Sequence, residues 1–371
     1  MMKKELLLHT VFSLFLLTST GVNADAPSKS EMGTGLDSRV SILEAQMNEV
    51  STKTVHGNWG AKTASSSPQI LGENWFFTAD MLWWHVNEGG NDYAVRYKDV
   101  PGSPEAKAKD LKLNFKWNWG FRSGIGTTFD HDRWDLYLNF TWFRADNSAA
   151  ASTHGGPGVI PLLGAPVAGG VNAATQAKIH WNIRFYNLDL NLGRNYFVSS
   201  KLALHPFVGL KTGWINQNQH TSAKLFVPVS TNLKTKTDND FWGIGPNVGL
   251  EGKWFIGNCF NLFGSAAGAI LWGDFDVHQK QHSSITDSTT YRVDFDLHTV
   301  VPMAQMQIGM GYETNIYHNR YRIAVNARYE QQYWWQQNQM PYFPAASTFK
   351  FRRFSDDLSL QGLTVDVRFD F

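Results

Sequence analysis

A single cysteine, Cys259, occurs in 371 residues, so no internal disulfide can form and the fold must rest on backbone hydrogen bonds and packing. Charge is scarce too. Asp, Glu, Lys and Arg make up 18% of the chain, against about 25% in an ordinary soluble domain. Long apolar runs are also missing: a membrane-crossing helix needs roughly 20 consecutive apolar residues. Beyond the extreme N-terminus nothing approaches that length, which excludes a polytopic helical protein. What the chain has in quantity is aromatic, with 15 Trp and 25 Phe, in a sequence whose mean hydropathy of -0.31 is nevertheless polar. Two all-β classes fit, a large soluble fold and a transmembrane barrel. The barrel averages to mild hydropathy because lipid-facing apolar residues alternate with lumen-facing polar ones.

The N-terminus indicates export. Lys3 and Lys4 precede an apolar stretch from Leu6 to Leu17, and Val22-Asn23-Ala24 offers small or modest residues where a signal peptidase reads them. Cleavage is expected after Ala24, making residues 1–24 a signal peptide. The cut removes Lys3, Lys4 and Glu5 from 33 basic and 32 acidic residues, leaving 31 of each. A neutral mature chain argues against nucleic acid as a partner, which requires a concentrated basic surface. Residues 25–72 form a separate periplasmic segment. Leu36, Val40, Leu43, Met47 and Val50 follow a heptad pattern over 36–50, predicting a short coiled-coil-like helix, and the Ser-, Thr- and Gly-rich stretch from Ser51 to Gly72 reads as a linker.

From residue 73 to 371 the period changes to 2. Leu111, Leu113, Phe115, Trp117, Trp119 and Phe121 alternate with Lys112, Asn114, Lys116, Asn118, Gly120 and Arg122. Ten such segments are predicted, at 75–86, 111–126, 133–145, 177–193, 201–215, 240–255, 259–275, 291–313, 320–335 and 357–371. Their connectors alternate between short turns and long loops, the asymmetry of an outer-membrane barrel. The fold class is therefore all-β, an antiparallel transmembrane β-barrel of about ten strands, with a range of 10 to 16. The wider range allows for strands inside loops, suggested by Tyr93, Val95 and Tyr97 and by Leu225, Val227 and Val229. Apolar parity slips at Phe185-Tyr186 and at Thr299-Val300, predicting two β-bulges. The last strand alternates Leu363, Val365, Val367, Phe369 and Phe371 with polar residues, and a terminal Phe of this kind resembles the signal read by the outer-membrane barrel assembly machinery.

Several motifs recur in one order. These are Asp189-Leu190-Asn191-Leu192-Gly193-Arg194, Pro206-Phe207-Val208-Gly209-Leu210-Lys211, Gly243-Ile244-Gly245-Pro246, Trp272-Gly273-Asp274-Phe275, Tyr333-Trp334-Trp335-Gln336-Gln337-Asn338-Gln339 and Leu360-Gln361-Gly362-Leu363. As an ordered set the chain resembles the Legionella-type major outer membrane protein family, whose relatives include porins of amoeba-associated chlamydiae. The resemblance implies a pore-forming barrel in the bacterial outer membrane, passing small hydrophilic solutes and ions, with a short helix ahead of it. With Cys259 alone, the disulfide cross-linking of the Cys-rich chlamydial major protein cannot be built here.

If the apolar parity faces lipid, the opposite parity lines the lumen. That assigns Lys112, Lys116, Arg122, Asp135, Lys211, Glu251, Lys253, Arg322, Arg328, Glu330, Asp366, Arg368 and Asp370 to the inner wall. Arg or Lys on the lipid side would cost about 2 to 4 kcal/mol near the midplane. Eight of these residues are basic and five acidic, implying weak anion selectivity unless opposite charges pair across strands. An outer-membrane protease or lipase would draw on Asp80, His85, His180, Asp274 and Asp276, yet no spacing among them singles out a nucleophile and base. His278 and His282 are four apart without helical period, a poor metal pattern. No cofactor and no catalytic residue is expected. The expected partners are outer-membrane lipid and lipopolysaccharide, the assembly machinery through Phe371, and other copies in a homo-oligomer. A role as adhesin or structural surface protein, through the long loops, is the competing reading.

Overall fold

The computed structural model describes residues 51–53, 59–61, 74–97, 108–129, 133–153, 158–164, 173–199, 201–227, 230–256, 259–284, 288–317, 320–343, 352–353 and 355–371. The expected signal peptide and heptad helix lie outside these residues. Within the expected linker, Ser51–Lys53 pairs antiparallel with Trp59–Ala61.

Ten strands form the wall: β1 Trp75–Glu88, β2 Trp117–Thr128, β3 Trp134–Ser152, β4 Ala173–Arg194, β5 Leu202–Val227, β6 Thr231–Ile256, β7 Phe260–Ser283, β8 Ser288–Ile316, β9 Tyr321–Asn338 and β10 Asp356–Asp370. Each pairs antiparallel with its neighbours in sequence. β10 returns to β1, with Leu358 opposite Glu88 and Asp370 opposite Phe76, so the sheet closes and leaves no edge along the wall. Nine of the ten predicted segments fall on one wall strand each, and the tenth, 111–126, does so only from Trp117 onward. The prediction of extra strands holds in the first loop, where Asp92–Tyr97 pairs with Ala108–Lys112 and with Val159–Pro161. It fails for Leu225 and Val227, which simply extend β5.

The wall is uneven in height. β1, β2 and β10 have 14, 12 and 15 residues, whereas β5, β6 and β8 have 26, 26 and 29. The connectors expected at 216–239 and 276–290 are therefore mostly strand, and only residues 228–230 separate β5 from β6 and residues 284–287 β7 from β8.

Neither predicted bulge exists. Pairing runs without a register shift through Phe185-Tyr186 and through Thr299-Val300. What changes there is the surrounding medium. On β4, Ile179, Trp181, Ile183 and Phe185 point inward, and so do Asn187 and Asp189 after them; the outward parity passes from His180, Asn182 and Arg184 to Tyr186, Leu188 and Leu190. β8 does the same, from outward Asp294, Asp296 and His298 to outward Val300, Met306, Ile308 and Met310. The apolar face moves from the inside of the wall to the outside while the pleat continues undisturbed.

That inversion recurs around the wall and marks a boundary. Trp142 lies opposite Tyr186, Tyr186 opposite Trp214, and Trp214 opposite Trp242, while Trp119 faces Trp83 across β1–β2. A second aromatic level near the turn end includes Trp75, Trp254, Phe260, Tyr312 and Phe371. Eight residues separate Trp134 from Trp142 and twelve separate Trp242 from Trp254. At about 3.3 Å per residue and a tilt near 40°, the apolar band between the two levels is about 20 to 30 Å tall, the thickness of a bilayer's hydrocarbon.

Candidate functional site

The lumen is the candidate site, and it has two storeys. Inside the membrane band the inward positions are polar. Arg122 donates from Nη2 to Glu330 Oε1 at 2.7 Å, from Nη1 to Asp80 Oδ2 at 3.3 Å, and from Nε to Thr141 Oγ1 at 2.9 Å. Arg328 reaches Asp80 Oδ2 at 2.6 Å and also bonds Asp366. Gln332, Gln305 and Thr364 donate to the Glu330 carboxylate at 2.8, 2.9 and 3.3 Å. Two guanidiniums and three carboxylates thus tie β1, β2, β9 and β10 together. Burying five charges is tolerable because every one of them faces an opposite charge, although Arg328 Nε makes no hydrogen bond and lies 3.8 Å from Glu330 Oε2. Around the rest of the wall stand Lys211 with Asp189 at 2.6 Å, His205 with Asp135 at 2.9 Å, Lys253 with Glu313 at 3.7 Å, Arg322 bonded to the same Glu313, and Arg368 with Asp370 at 2.7 Å. These groups enclose a polar cavity of about 300 Å³.

Just above the Trp level the lumen is filled by an apolar plug, and polar side chains such as Gln217, Asn239 and Gln279 are buried beyond it. Trp84, Phe143, Trp181, Phe185, Ile215, Leu271, Phe275 and Trp334 are all buried with no measurable exposure. Contacts cross the barrel, not merely along the wall. Trp334 of β9 packs edge-on to Phe185 of β4, with ring centroids 5.7 Å apart. A Cβ on Gly213 of β5 would lie 3.2 Å from the Trp334 ring, so the glycine leaves room for the indole. Loop residues seal the top: Phe115 meets Trp181 edge-on at 5.1 Å, and Leu113, Tyr93 and Val159 join the same cluster. Ten strands explain this, since an eight-stranded interior is just wide enough for side chains to fill and open channels need many more.

Of the predicted lining residues, Arg122, Asp135, Lys211, Glu251, Lys253, Arg322, Arg328, Glu330, Asp366, Arg368 and Asp370 point inward. Lys112 and Lys116 do not. Residues 111–126 are not one strand: Lys112 ends a loop strand, residues 113–116 carry no strand, and the wall starts at Trp117. Leu113 and Phe115 turn inward into the plug, which turns their neighbours outward. Lys112 is 72% exposed, 3.6 Å from Asp92. Asp80, Asp189 and Glu313 were missed, although each alternates with outward apolar residues and strand parity identifies them. With these corrections the membrane-level inner wall carries six basic residues (Arg122, Lys211, Lys253, Arg322, Arg328, Arg368) and eight acidic ones (Asp80, Asp135, Asp189, Glu251, Glu313, Glu330, Asp366, Asp370). The expected basic excess is reversed.

The residues considered for hydrolysis are not brought together. Asp80 is inside the ion network, while His85 is on the outer wall and its Nε2 lies 3.1 Å from the Phe115 carbonyl oxygen. His180 is beside Asp146 at 3.6 Å on the outer surface. Asp274 and Asp276 are also outside, 2.8 Å from His298 and 2.9 Å from His278. His278 and His282 share that outer face, and no group of three metal-ligating side chains occurs among the described residues.

A closed antiparallel barrel with an apolar outer band between aromatic levels, and a charged interior, defines an outer-membrane β-barrel protein. The family model described as Legionella pneumophila major outer membrane protein precursor matches residues 70–371, and the chain belongs to that family. Solved structures of similar fold include the outer membrane protease OmpT from Escherichia coli, 9% identical, covering 83% of this chain and 100% of that one with a TM-score of 0.44. A Pseudomonas aeruginosa FadL homologue is 9% identical, covering 80% and 89% with a TM-score of 0.24. The Ralstonia pickettii toluene transporter TbuX is 10% identical, covering 81% and 90% with a TM-score of 0.29. No curated protein matches the chain in sequence.

Proposed function

We propose that the chain is a narrow outer-membrane channel for small hydrophilic solutes and ions, without catalytic activity, and that the apolar plug holds it closed in this conformation. The observation that carries the reading is the polar cavity of about 300 Å³, ringed by paired charges beneath an apolar plug in which Trp334 packs across the barrel on Phe185. Paired charges hold an aqueous path open where an apolar lining would exclude water, and a hydrophobic constriction gates by dewetting. The wall's eight acidic and six basic residues favour a weak cation preference, in place of the anion preference drawn from sequence. The plug equally favours a second reading, a structural surface protein that conducts nothing.

Planar-bilayer recording of the purified protein separates the two. Wild type is expected to open rarely and with small conductance, and Trp334→Ala to raise open probability several-fold. Absence of current from both would overturn the channel and leave the structural role. Reversal potentials in a salt gradient test the sign of selectivity.

A further inference from the structure

The outer surface above the Trp level is not evenly charged. Just above Trp142 and Tyr186, Arg144 of β3 and Arg184 of β4 stand opposite one another, both exposed and outward. Four residues further along each strand, a ladder of cross-strand neighbours runs His180, His220, Lys236, Lys280 and Arg292 over β4 to β8. Directly above it run Lys178, Ser222, Lys234 and His282. Apart from Arg292, the two rows line a depression of about 750 Å³. The His180 and His220 rings stack at 6.4 Å across its floor. Burial, and then the neighbouring Lys236, lowers the His220 pKa, so the lysines supply the charge.

Carboxylates share this face below the ladder, where Asp146, Asp238 and Asp294 stand in the next row and Asp240, Asp276 and Asp296 in the row of the arginine pair, but they do not reach the upper lysines. Asp238 pairs with Lys236 at 2.8 Å and Asp146 lies 3.6 Å from His180. Among the described residues none lies within ion-pair distance of Lys178, Lys234 or Lys280. Three lysines held on rigid strands, converging on one depression without counter-ions, form an anion site.

Position identifies the anion's carrier. His180 and Lys178 are six and eight residues beyond Tyr186, which at about 3.3 Å per residue and a 40° tilt puts them about 15 to 20 Å above the apolar band. A phospholipid head group occupies only about 5 to 8 Å beyond the hydrocarbon. It would reach Arg144 and Arg184 but not the depression. A lipid whose head is a phosphorylated oligosaccharide reaches both: an anchor phosphate at the arginine pair and a second phosphate among the lysines, with Asn182 and Asn218 between them and Ser222 beside the lysines to hydrogen-bond sugar hydroxyls. We propose that this sector of β3 to β7 is a binding site for a phosphorylated glycolipid of the surrounding outer leaflet.

The test uses the full-length mature protein in detergent micelles, titrated with an outer-leaflet glycolipid phosphorylated on both anchor and outer sugars, with the same glycolipid dephosphorylated, and with inorganic polyphosphate. Native mass spectrometry reads occupancy. Lys178→Gln/Lys234→Gln/Lys280→Gln should weaken binding of the phosphorylated glycolipid at least tenfold, and Lys112→Gln/Lys116→Gln should leave it unchanged. Dephosphorylation should abolish the difference between wild type and the triple variant. Wild-type affinity in the triple variant, or equal binding of both glycolipids, overturns the proposal. So does polyphosphate binding as tightly as the glycolipid, because the site would then serve a soluble polyanion. If the triple variant does not fold, Arg144→Gln/Arg184→Gln provides the same readout and carries the same expectations.

Discussion

The two halves of this barrel solve opposite problems with one continuous sheet. Within the membrane band the wall is apolar outside and charged inside; above it the wall is charged outside and its interior begins with an apolar plug. β4 carries both arrangements in a single unbroken run, with Phe185 and Asn187 as successive inward residues and Arg184 and Tyr186 as successive outward ones. Above the boundary water surrounds the wall, so apolar side chains gain by meeting in the centre, as in any soluble barrel. Below it lipid surrounds the wall and apolar burial offers no net drive inward, so the interior is left to groups that satisfy one another. The halves therefore depend on different forces, packing above and ion pairing below, and respond to different substitutions.

The sharpest break is expected at Glu330. Its carboxylate takes Arg122 and three neutral donors, so Glu330→Gln strands a buried guanidinium and should cost about 3 to 5 kcal/mol, read as a drop in urea unfolding midpoint from lipid vesicles. An unchanged midpoint would mean water screens the network and the lower lumen is already open. Slightly smaller, and aimed at the boundary itself, is a charge placed outside. Val248 is midway between Trp242 and Trp254 and 63% exposed to lipid, so Val248→Arg should lose about 2 to 4 kcal/mol. The same arginine at Ser148, on the outward face above Trp142, should change stability by no more than about 0.5 kcal/mol. Equal effects at the two sites would remove the boundary.

The barrel was legible in the sequence because period 2 records which medium each face meets, and ten segments sufficed to give ten strands. The same signal misled where the medium changed. At Phe185-Tyr186 and Thr299-Val300 a change of environment is written identically to a bulge, since both move the apolar residues to the other parity; only backbone pairing separates them. Lys112 and Lys116 failed for a related reason. Leu113, Phe115, Trp117 and Trp119 alternate without interruption, but the first two pack inward into the plug and the last two outward into lipid. The partners of Arg122 on β1 and β9, 42 and 208 residues away, have no local trace at all.

The upper half also buries polar groups beyond its apolar plug, among them Gln217, Asn239, Gln279 and the acid Glu88. Glu88 is buried at the plug, accepting from Asn91 at 2.8 Å, and burial pushes its pKa up to about 7 against the partial relief of the Asn91 hydrogen bond and of the neighbouring Gln217 and Trp181 side chains. An acid held above its unfolded value of 4.5 destabilises the fold only when it must ionise. The penalty is absent below pH about 4.5, grows as pH rises toward 7, and is complete above it. Glu88→Gln should therefore raise the unfolding midpoint by the equivalent of about 2 to 3 kcal/mol at pH 8 and leave it unchanged at pH 4. A pH-independent difference would place Glu88 in contact with water and the plug would not be dry.

The smallest effect is expected where sequence parity and structure disagree. Lys112 is far from the lumen and its exposed pair with Asp92 contributes at most about 1 kcal/mol, while Lys116 faces solvent. Lys112→Gln/Lys116→Gln should leave both the unfolding midpoint and the reversal potential in a salt gradient within error of wild type. Asp189→Asn, which frees Lys211 on the inner wall, should move the reversal potential toward anion preference. The first variant removes two positive charges outside the wall and the second removes one negative charge inside it, so the larger change in net charge is expected to have the smaller effect on selectivity. If the lysine pair shifted selectivity as much as Asp189 does, ions would be sampling the loop surface, and the lower lumen would not be the path that sets their sign.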